Sequence, residues 1–339
     1  MTEKRLPFLA LTILAAVAGG TMFSRFLAPY NPSFQERRLP WAPPMRLHFM
    51  DNQGALHVRP FVYPWVEQSG RYAEYRADAR HPQPLYFLLR TPCAGLHDMS
   101  DGCLHLFGLK GTERVFLLGT DRYGRDVFSR LLYGGRLSLL AGLLATALSL
   151  AIGLLAGSLA GYFRGLAETL LMRFAELFLA IPWLYLLLAV RAILPLRITP
   201  AGALLIVVAV IGGVGWARPA LLVRSVVLSA RERAYVFAAR GFGASRWYLL
   251  WHHILPETRG VLLTQASLLI PQFILAEVTL SYLGLGFGGT VPSWGTMLAA
   301  VASYEVLASY WWMLSPVWVL IALFWAFQSL AGSVEEMIR

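Results

Sequence analysis

The chain has 339 residues, of which 14% are charged and 57% hydrophobic, and its mean hydropathy is +0.56. Soluble domains carry about 25% charged residues, so this composition argues against a disordered chain and against an ordinary soluble enzyme, and directs attention to apolar runs long enough to cross a bilayer. The net charge of +10 is almost all arginine, with Lys4 and Lys110 the only lysines. These arginines lie between apolar runs and form no dense basic block, which fits membrane-protein loops and not a nucleic-acid partner.

In chain order, Lys4 and Arg5 precede an apolar run from Leu6 to about Phe23. Ala16-Val17-Ala18 resembles a signal-peptidase site. Because apolar residues continue past it, an uncleaved N-terminal transmembrane helix over 1–28 is the preferred reading. Residues 29–135 differ in character: they hold 23 charged side chains, 13 of them basic, and five of the seven histidines. No run there is long and apolar enough to cross a bilayer. Leu56–Tyr63 and Leu85–Leu89 suggest strands, so 29–135 reads as a small extramembrane insertion of mixed or irregular structure. Apolar runs follow at Leu137–Tyr162, Leu166–Leu194 (with a kink expected at Pro182), Ala201–Leu228, Gly260–Leu285 and Trp311–Leu330. The expectation is an all-α polytopic membrane protein of about six spans, five of them in a 136–339 core.

Six arginines fall between Arg224 and Arg259, whereas Gly286–Tyr310 has no Lys or Arg. Short Lys/Arg-rich loops stay cytoplasmic, so 229–259 is expected inside, 29–135 outside, and both termini in the cytoplasm. Cys93 and Cys103 would then face an oxidising compartment. Disulfide and free thiols are both open readings. A Cys/His metal site with His97 and His105 matches no defensible zinc spacing.

Several features carry two readings each. Ala145, Ser149, Gly153, Gly157 and Gly161 recur every fourth position, a stripe that lets helices approach closely in lipid, either within the chain or against a partner subunit. Glu168, Arg173 and Glu176 fall in the first turns of their run. Glu277 lies deepest in a span and is a candidate by that fact alone: it suits either a hydrogen bond fixing the packing or an ion-coupled carrier. The 229–256 segment is long and apolar for a connector. Two short helices are expected on either side of Gly241–Gly243, the second ending at Pro256, and Tyr235, Val236, Phe237, Phe242, Trp247, Tyr248 and Trp251 would form a docking surface. A Gly-rich phosphate loop with Lys, a nucleophile elbow and HExxH are all missing from the sequence, so no hydrolytic activity or cofactor is expected.

Ala238-Ala239-Arg240, Gly243 and Ile254-Leu255-Pro256 resemble the EAA coupling loop of ABC-importer permeases. Tyr235-Val236 before them, and Ala244-Ser245 and His253 after, are similar to the dipeptide/oligopeptide group. Gly119-Thr120-Asp121-Arg122-Tyr123-Gly124-Arg125-Asp126 resembles a segment in the second, C-type member of that group's paired permeases, and Leu280-Ser281-Tyr282-Leu283-Gly284 after Glu277 is a third match. The resemblance implies a type I ABC-importer permease fold in a bacterial inner membrane. It implies a heterodimer with a second permease, two cytoplasmic ATPase subunits and an extracytoplasmic solute-binding protein, moving peptides or similar solutes. Tyr235, Phe237, Ala238, Ala239, Arg240, Gly243 and Pro256 would couple to the ATPases, with Phe237 standing where the family places an acidic residue. Two other classes remain open at this stage: an ion-coupled secondary transporter using Glu277, and a membrane-anchored receptor binding through 29–135.

Overall fold

The computed structural model describes residues 5–51, 54–68, 74–92, 102–193, 199–287 and 291–338. The chain starts with helices α1 (Arg5–Met22) and α2 (Ser24–Leu27). Among the described residues seven short strands follow: β1 (His48–Met50), β2 (Leu56–Val62), β3 (Trp65–Gln68), β4 (Glu74–Ala77), β5 (Gln83–Pro84), β6 (Tyr86–Pro92) and β7 (Gly102–Gly108). They form a β1-β2-β5 sheet and two hairpins, β3-β4 and β6-β7, with every pairing antiparallel. The remainder is helical: α3 (Val127–Phe163), α4 (Gly165–Ala180), α5 (Trp183–Ile193), α6 (Pro200–Gly215), α7 (Ala217–Arg231), α8 (Ala234–Gly241), α9 (Arg246–Leu249), α10 (Arg259–Tyr282), α11 (Trp294–Ala299), α12 (Tyr304–Ser309) and α13 (Ser315–Ile338).

Among the described residues, three helical stretches are long and apolar enough to span a membrane: Val127–Phe163, Arg246–Tyr282 and Trp311–Gly332. The α6–α7 pair, bent by 45°, makes a fourth. The bend has a local cause. Pro219 has no N–H to give the carbonyl of Gly215, so the helical ladder breaks between the two helices. Thr199 starts α6, its hydroxyl accepting from the Gly202 N–H at 3.2 Å, and Pro200 follows in the first turn, where its missing donor costs nothing. The run expected as one span over 166–194 is two helices, α4 and α5, of 16 and 11 residues, separated at Ile181-Pro182. The N-terminal apolar helix covers only Pro7–Met22.

By its contacts the chain divides into two compact units. One consists of the residues up to Leu14, Ser138–Gly286 and the residues from Ala322 on; the other is Ala15–Leu137 with Phe287–Ile321. In the first, the core lies where α3, α4, α7 and the 249–254 segment meet, around Tyr162, Met172, Val223, Val227, Leu250 and Ile254. In the second, Met45, Val62, Leu85, Val115 and Phe116 form one cluster and Val127, Met297, Trp312 and Met313 another.

Candidate functional site

The 229–258 segment is built as a short helical hairpin with one face anchored. α7 ends at Arg231, Arg233 is extended (φ −76°, ψ 144°), and α8 starts at Ala234. α8 stops in a Schellman arrangement: the N–H of Gly243 reaches the Arg240 carbonyl at 3.0 Å and that of Ala244 reaches the Ala239 carbonyl at 3.1 Å. The motif needs a left-handed residue after the cap, and Gly243 supplies it at φ +85°. Ser245 then caps α9, its hydroxyl accepting from the Tyr248 N–H at 3.2 Å.

Pro256 does not end the second helix as expected. α9 runs into a π turn at Leu250–Ile254, then a 3-10 turn at Leu255–Thr258, and so into α10. The donor missing at Pro256 is absorbed where the ladder changes from wide to tight spacing, and the chain stays helical.

The anchored face is small. Val236 is the buried residue of α8, and it packs with Leu249, Leu250 and Ile254 against Tyr162, Val223, Val227 and Ala230. Ala239 and Ala244 lie partly buried against the same cluster, so the small side chain of Ala239 serves contact with the chain's own core. Ala238, Arg240 and Gly243 are exposed and Pro256 is half-buried. Phe242 is 94% exposed, Trp251 59%, Phe237 58% and Trp247 55%, with Tyr235 and Tyr248 also exposed. Six aromatic side chains are thus exposed within 17 residues of sequence.

Charged residues tie the segment down. Arg233 Nη1 lies 3.1 Å from Glu257 Oε2, and the Tyr235 hydroxyl donates to Glu257 Oε1 at 3.1 Å. Partial burial, then this carboxylate, raises the pKa of the Tyr235 phenol. Arg231 donates to the Tyr162 carbonyl at 2.9 Å, and Arg224 pairs with Glu168 of α4. Glu257 and Arg233 are functional candidates that the sequence reading missed. Only their position immediately outside the matched residues could have drawn attention to them.

The glycine stripe meets its own chain. A Cβ at Gly153 would lie 2.7 Å from Pro219, one at Gly161 2.9 Å from the Arg224 carbonyl, and one at Gly157 would strike the Ala220 carbonyl. Ala145, two turns earlier in the same helix, faces Gly212 of α6. The stripe therefore lets α3 approach the backbones of α6 and α7. Glu277 is fully buried in α10 and accepts from the Ser281 hydroxyl at 2.7 Å. Arg173 and Glu176 form an exposed pair at 2.9 Å on α4.

The 119–130 segment is a buried clasp. Thr120 accepts from the Ala42 N–H (2.8 Å) and donates to the Leu39 carbonyl (2.6 Å). Asp121 accepts from the Tyr123 and Arg125 N–H groups and from Arg125 Nε at 2.7 Å. Asp126 caps α3, accepting from the N–H and hydroxyl of Ser129 at 2.8 and 2.5 Å. Burial pushes the Asp126 carboxyl up to about 6 despite these bonds. Gly119 and Gly124 both have positive φ, and a side chain at either would hit a backbone carbonyl, of Ala42 and Glu36 respectively.

Cys103, in β7, is disulfide-bonded, and Cys93 and His97 lie outside the described residues. His105 Nδ1 donates to the Ala28 carbonyl at 2.6 Å. Among the described residues, no three His, Cys, Asp or Glu side chains are placed to share a metal ion.

Residues 153–335 match the family described as binding-protein-dependent transport system inner membrane component. The chain belongs to that family. It is the membrane-embedded permease component of an importer of the ABC class, a subunit that carries no ATPase chemistry of its own. Among its relatives, the dipeptide transport system permease protein DppC of Bacillus subtilis is 34% identical over 221 residues, 65% of this chain and 67% of that one. The di/tripeptide transport system permease protein DppC of Pseudomonas aeruginosa is 39% identical over 207 residues, 61% and 66%. The oligopeptide transport system permease protein OppC of Haemophilus influenzae is 32% identical over 226 residues, 67% and 70%. The matched stretch thus spans about two thirds of each relative.

Proposed function

We propose that this permease carries peptides or closely similar solutes, and that it does so as one half of a heterodimer with a second permease, driven by two cytoplasmic ATPase subunits and supplied by an extracytoplasmic solute-binding protein. The substrate class is supported by the relatives, which are named as dipeptide, di/tripeptide and oligopeptide transport permeases. The observation that carries the coupling role is the exposed aromatic face of α8–α9 on a buried apolar anchor. Such a face, left bare in a cell, marks a docking surface. ATP-driven closure of the ATPase pair would push on it, and the α7–α10 segment would carry the displacement into the spans as a rocking motion.

Two features complete the proposal. Six spans result if α1 is the first and the α4–α5 pair is one broken span, with both termini cytoplasmic and 29–135 exported. A bridge between Cys93 and Cys103 suits that compartment. The decisive experiment is uptake of labelled dipeptide into vesicles holding the whole assembly, with the ATPase subunits either active or disabled in ATP hydrolysis. Uptake that persists with disabled ATPases would overturn the importer reading in favour of an ion-coupled carrier. For topology, in a background with Cys93 and Cys103 changed to Ser, His81→Cys should react with an impermeant thiol reagent from outside and Ser245→Cys only after lysis. The reverse pattern would invert the orientation.

A further inference from the structure

α8 is weakly held for a helix that is to transmit force. It has eight residues, an extended joint at Arg233 on one side and the left-handed Gly243 on the other, and Val236 as its buried side chain. A helix pinned at one apolar point can rock about that point, and a push on its exposed face is then lost in the joints.

The polar contacts at the start of α8 act against this. Glu257, in the 3-10 turn immediately before α10, uses its two carboxylate oxygens separately: Oε2 faces Arg233, the residue preceding α8, and Oε1 accepts from the hydroxyl of Tyr235, its second residue. The two attachments are two residues apart in the chain, one on the extended residue before α8 and one in its first turn. Gripping both fixes the rotation of α8 as well as its position. The Tyr235 ring also packs near His253, at 6.1 Å between ring centres, in the π turn of the same stretch. Two neighbouring arginines hold different helices: Arg224 reaches Glu168 in α4 and Arg231 the last turn of α3.

We propose that Glu257, with Arg233 and Tyr235, is a positioning clip that makes α8 follow the foot of α10, so that movement imposed on the exposed face of α8 enters the membrane span and is not dissipated at Arg233 and Gly243. The proposal rests on the coupling role given to this segment above. Arg233 and Glu257 are 54% and 33% exposed, and pairs this open to water add little to folding stability. That separates the clip from a folding element: removing it should loosen α8 and leave the fold intact.

The test uses the complete importer reconstituted in vesicles, comparing ATP hydrolysed with dipeptide taken up. Glu257→Gln should keep the ATPase subunits bound and hydrolysing while uptake per ATP falls by about threefold or more, the scale that one exposed ion pair and one hydrogen bond support. Arg233→Glu alone should show the same fall, and Arg233→Glu combined with Glu257→Arg should restore part of the ratio, because the ion pair is rebuilt while the Tyr235 hydroxyl loses its acceptor; the uptake-per-ATP readout at unchanged melting temperature is what a merely structural contact would not move. If Glu257→Gln does not accumulate, Tyr235→Phe carries the test, because it removes one hydroxyl and keeps the ring; a smaller fall in the ratio is expected. An unchanged ratio in these variants overturns the clip. Loss of the ATPase subunits from the Glu257→Gln complex also overturns it, in favour of a direct docking contact. If the unmodified chain itself fails to bind ATPases, the failure belongs to the coupling role and not to the clip.

Discussion

The clasp at 119–130 and the helical hairpin at 229–258 are both short, rich in matched residues and similarly legible in the sequence, yet they direct their side chains oppositely. In the clasp the polar groups turn inward. Asp121, Asp126 and Thr120 are at most 3% exposed, and each is engaged by backbone or arginine partners. In the hairpin the apolar groups turn outward, with Phe242 almost wholly exposed and Val236 as the buried residue of α8. A segment whose polar groups find partners within the chain is specifying its own shape. A segment that leaves aromatic rings in water is built for something not present in the chain. The contrast supports reading the clasp as architecture and the hairpin as the proposed docking surface, and it can be broken by mutation.

The largest effect should come from Gly124→Val. The position has φ +70° and a Cβ there would collide with the Glu36 carbonyl, so the change combines a left-handed backbone with overpacking, a loss of about 2–4 kcal/mol. The melting temperature of the purified permease in detergent would report it; an unaffected transition would remove the clasp from the architecture.

Next in size, Asp126→Ala should cost about 1–2 kcal/mol through the lost helix cap, and Asp126→Asn distinctly less, because an amide oxygen still accepts from Ser129. The carboxyl also carries a pH signature. Its folded value of about 6 stands above the ordinary 3.8. Between about pH 4 and 6 the folded chain therefore holds a proton that the unfolded chain has released. The contribution of Asp126 to stability should rise as pH falls through that window and decline as pH rises through 6. The difference in melting temperature between wild type and Asp126→Asn, followed from pH 7 to 4, should change in the wild type's favour. A flat difference would mean that the carboxyl is not buried as described.

Gly243→Ala sharpens the comparison from the other side. Its φ of +85° penalises alanine, but nothing lies within 4 Å of the added carbon, so about 1 kcal/mol is expected, well below the Gly124 effect. Smallest in stability are Phe242→Ala and Trp251→Ala, each within about 0.5 kcal/mol of wild type. These two should nevertheless weaken co-purification of the ATPase subunits, which Gly124 variants that still fold should not. If either aromatic variant lowers the melting temperature as much as Asp126→Ala, the hairpin is part of the core and the contrast fails.

The apolar runs, the arginine bias and the matched residues of 119–126 and 235–256 were readable without coordinates, because hydropathy and short motifs are local properties. Strands at 56–62 and 86–92 were expected close to where they occur, since β-branched and aromatic residues cluster there. A kink at Pro182 was expected from proline's missing donor, whereas the run is two separate helices there. Other features depended on distant partners. Whether the Gly153–Gly161 stripe faced its own chain or a second subunit was undetermined by spacing, and became visible only when α7 was placed against it. Pro256 read as a stop because proline ends an ordinary α-helix, whereas a π turn before it and a 3-10 turn around it let the helix continue. Ala239 read as a contact for a partner, and that it also packs against Val236's cluster was set by residues distant in the chain. Glu257 carried no signal beyond its place beside the matched Pro256, since its role is defined by Arg233 and Tyr235, more than 20 positions earlier, and such pairings exist only once the backbone has folded back on itself.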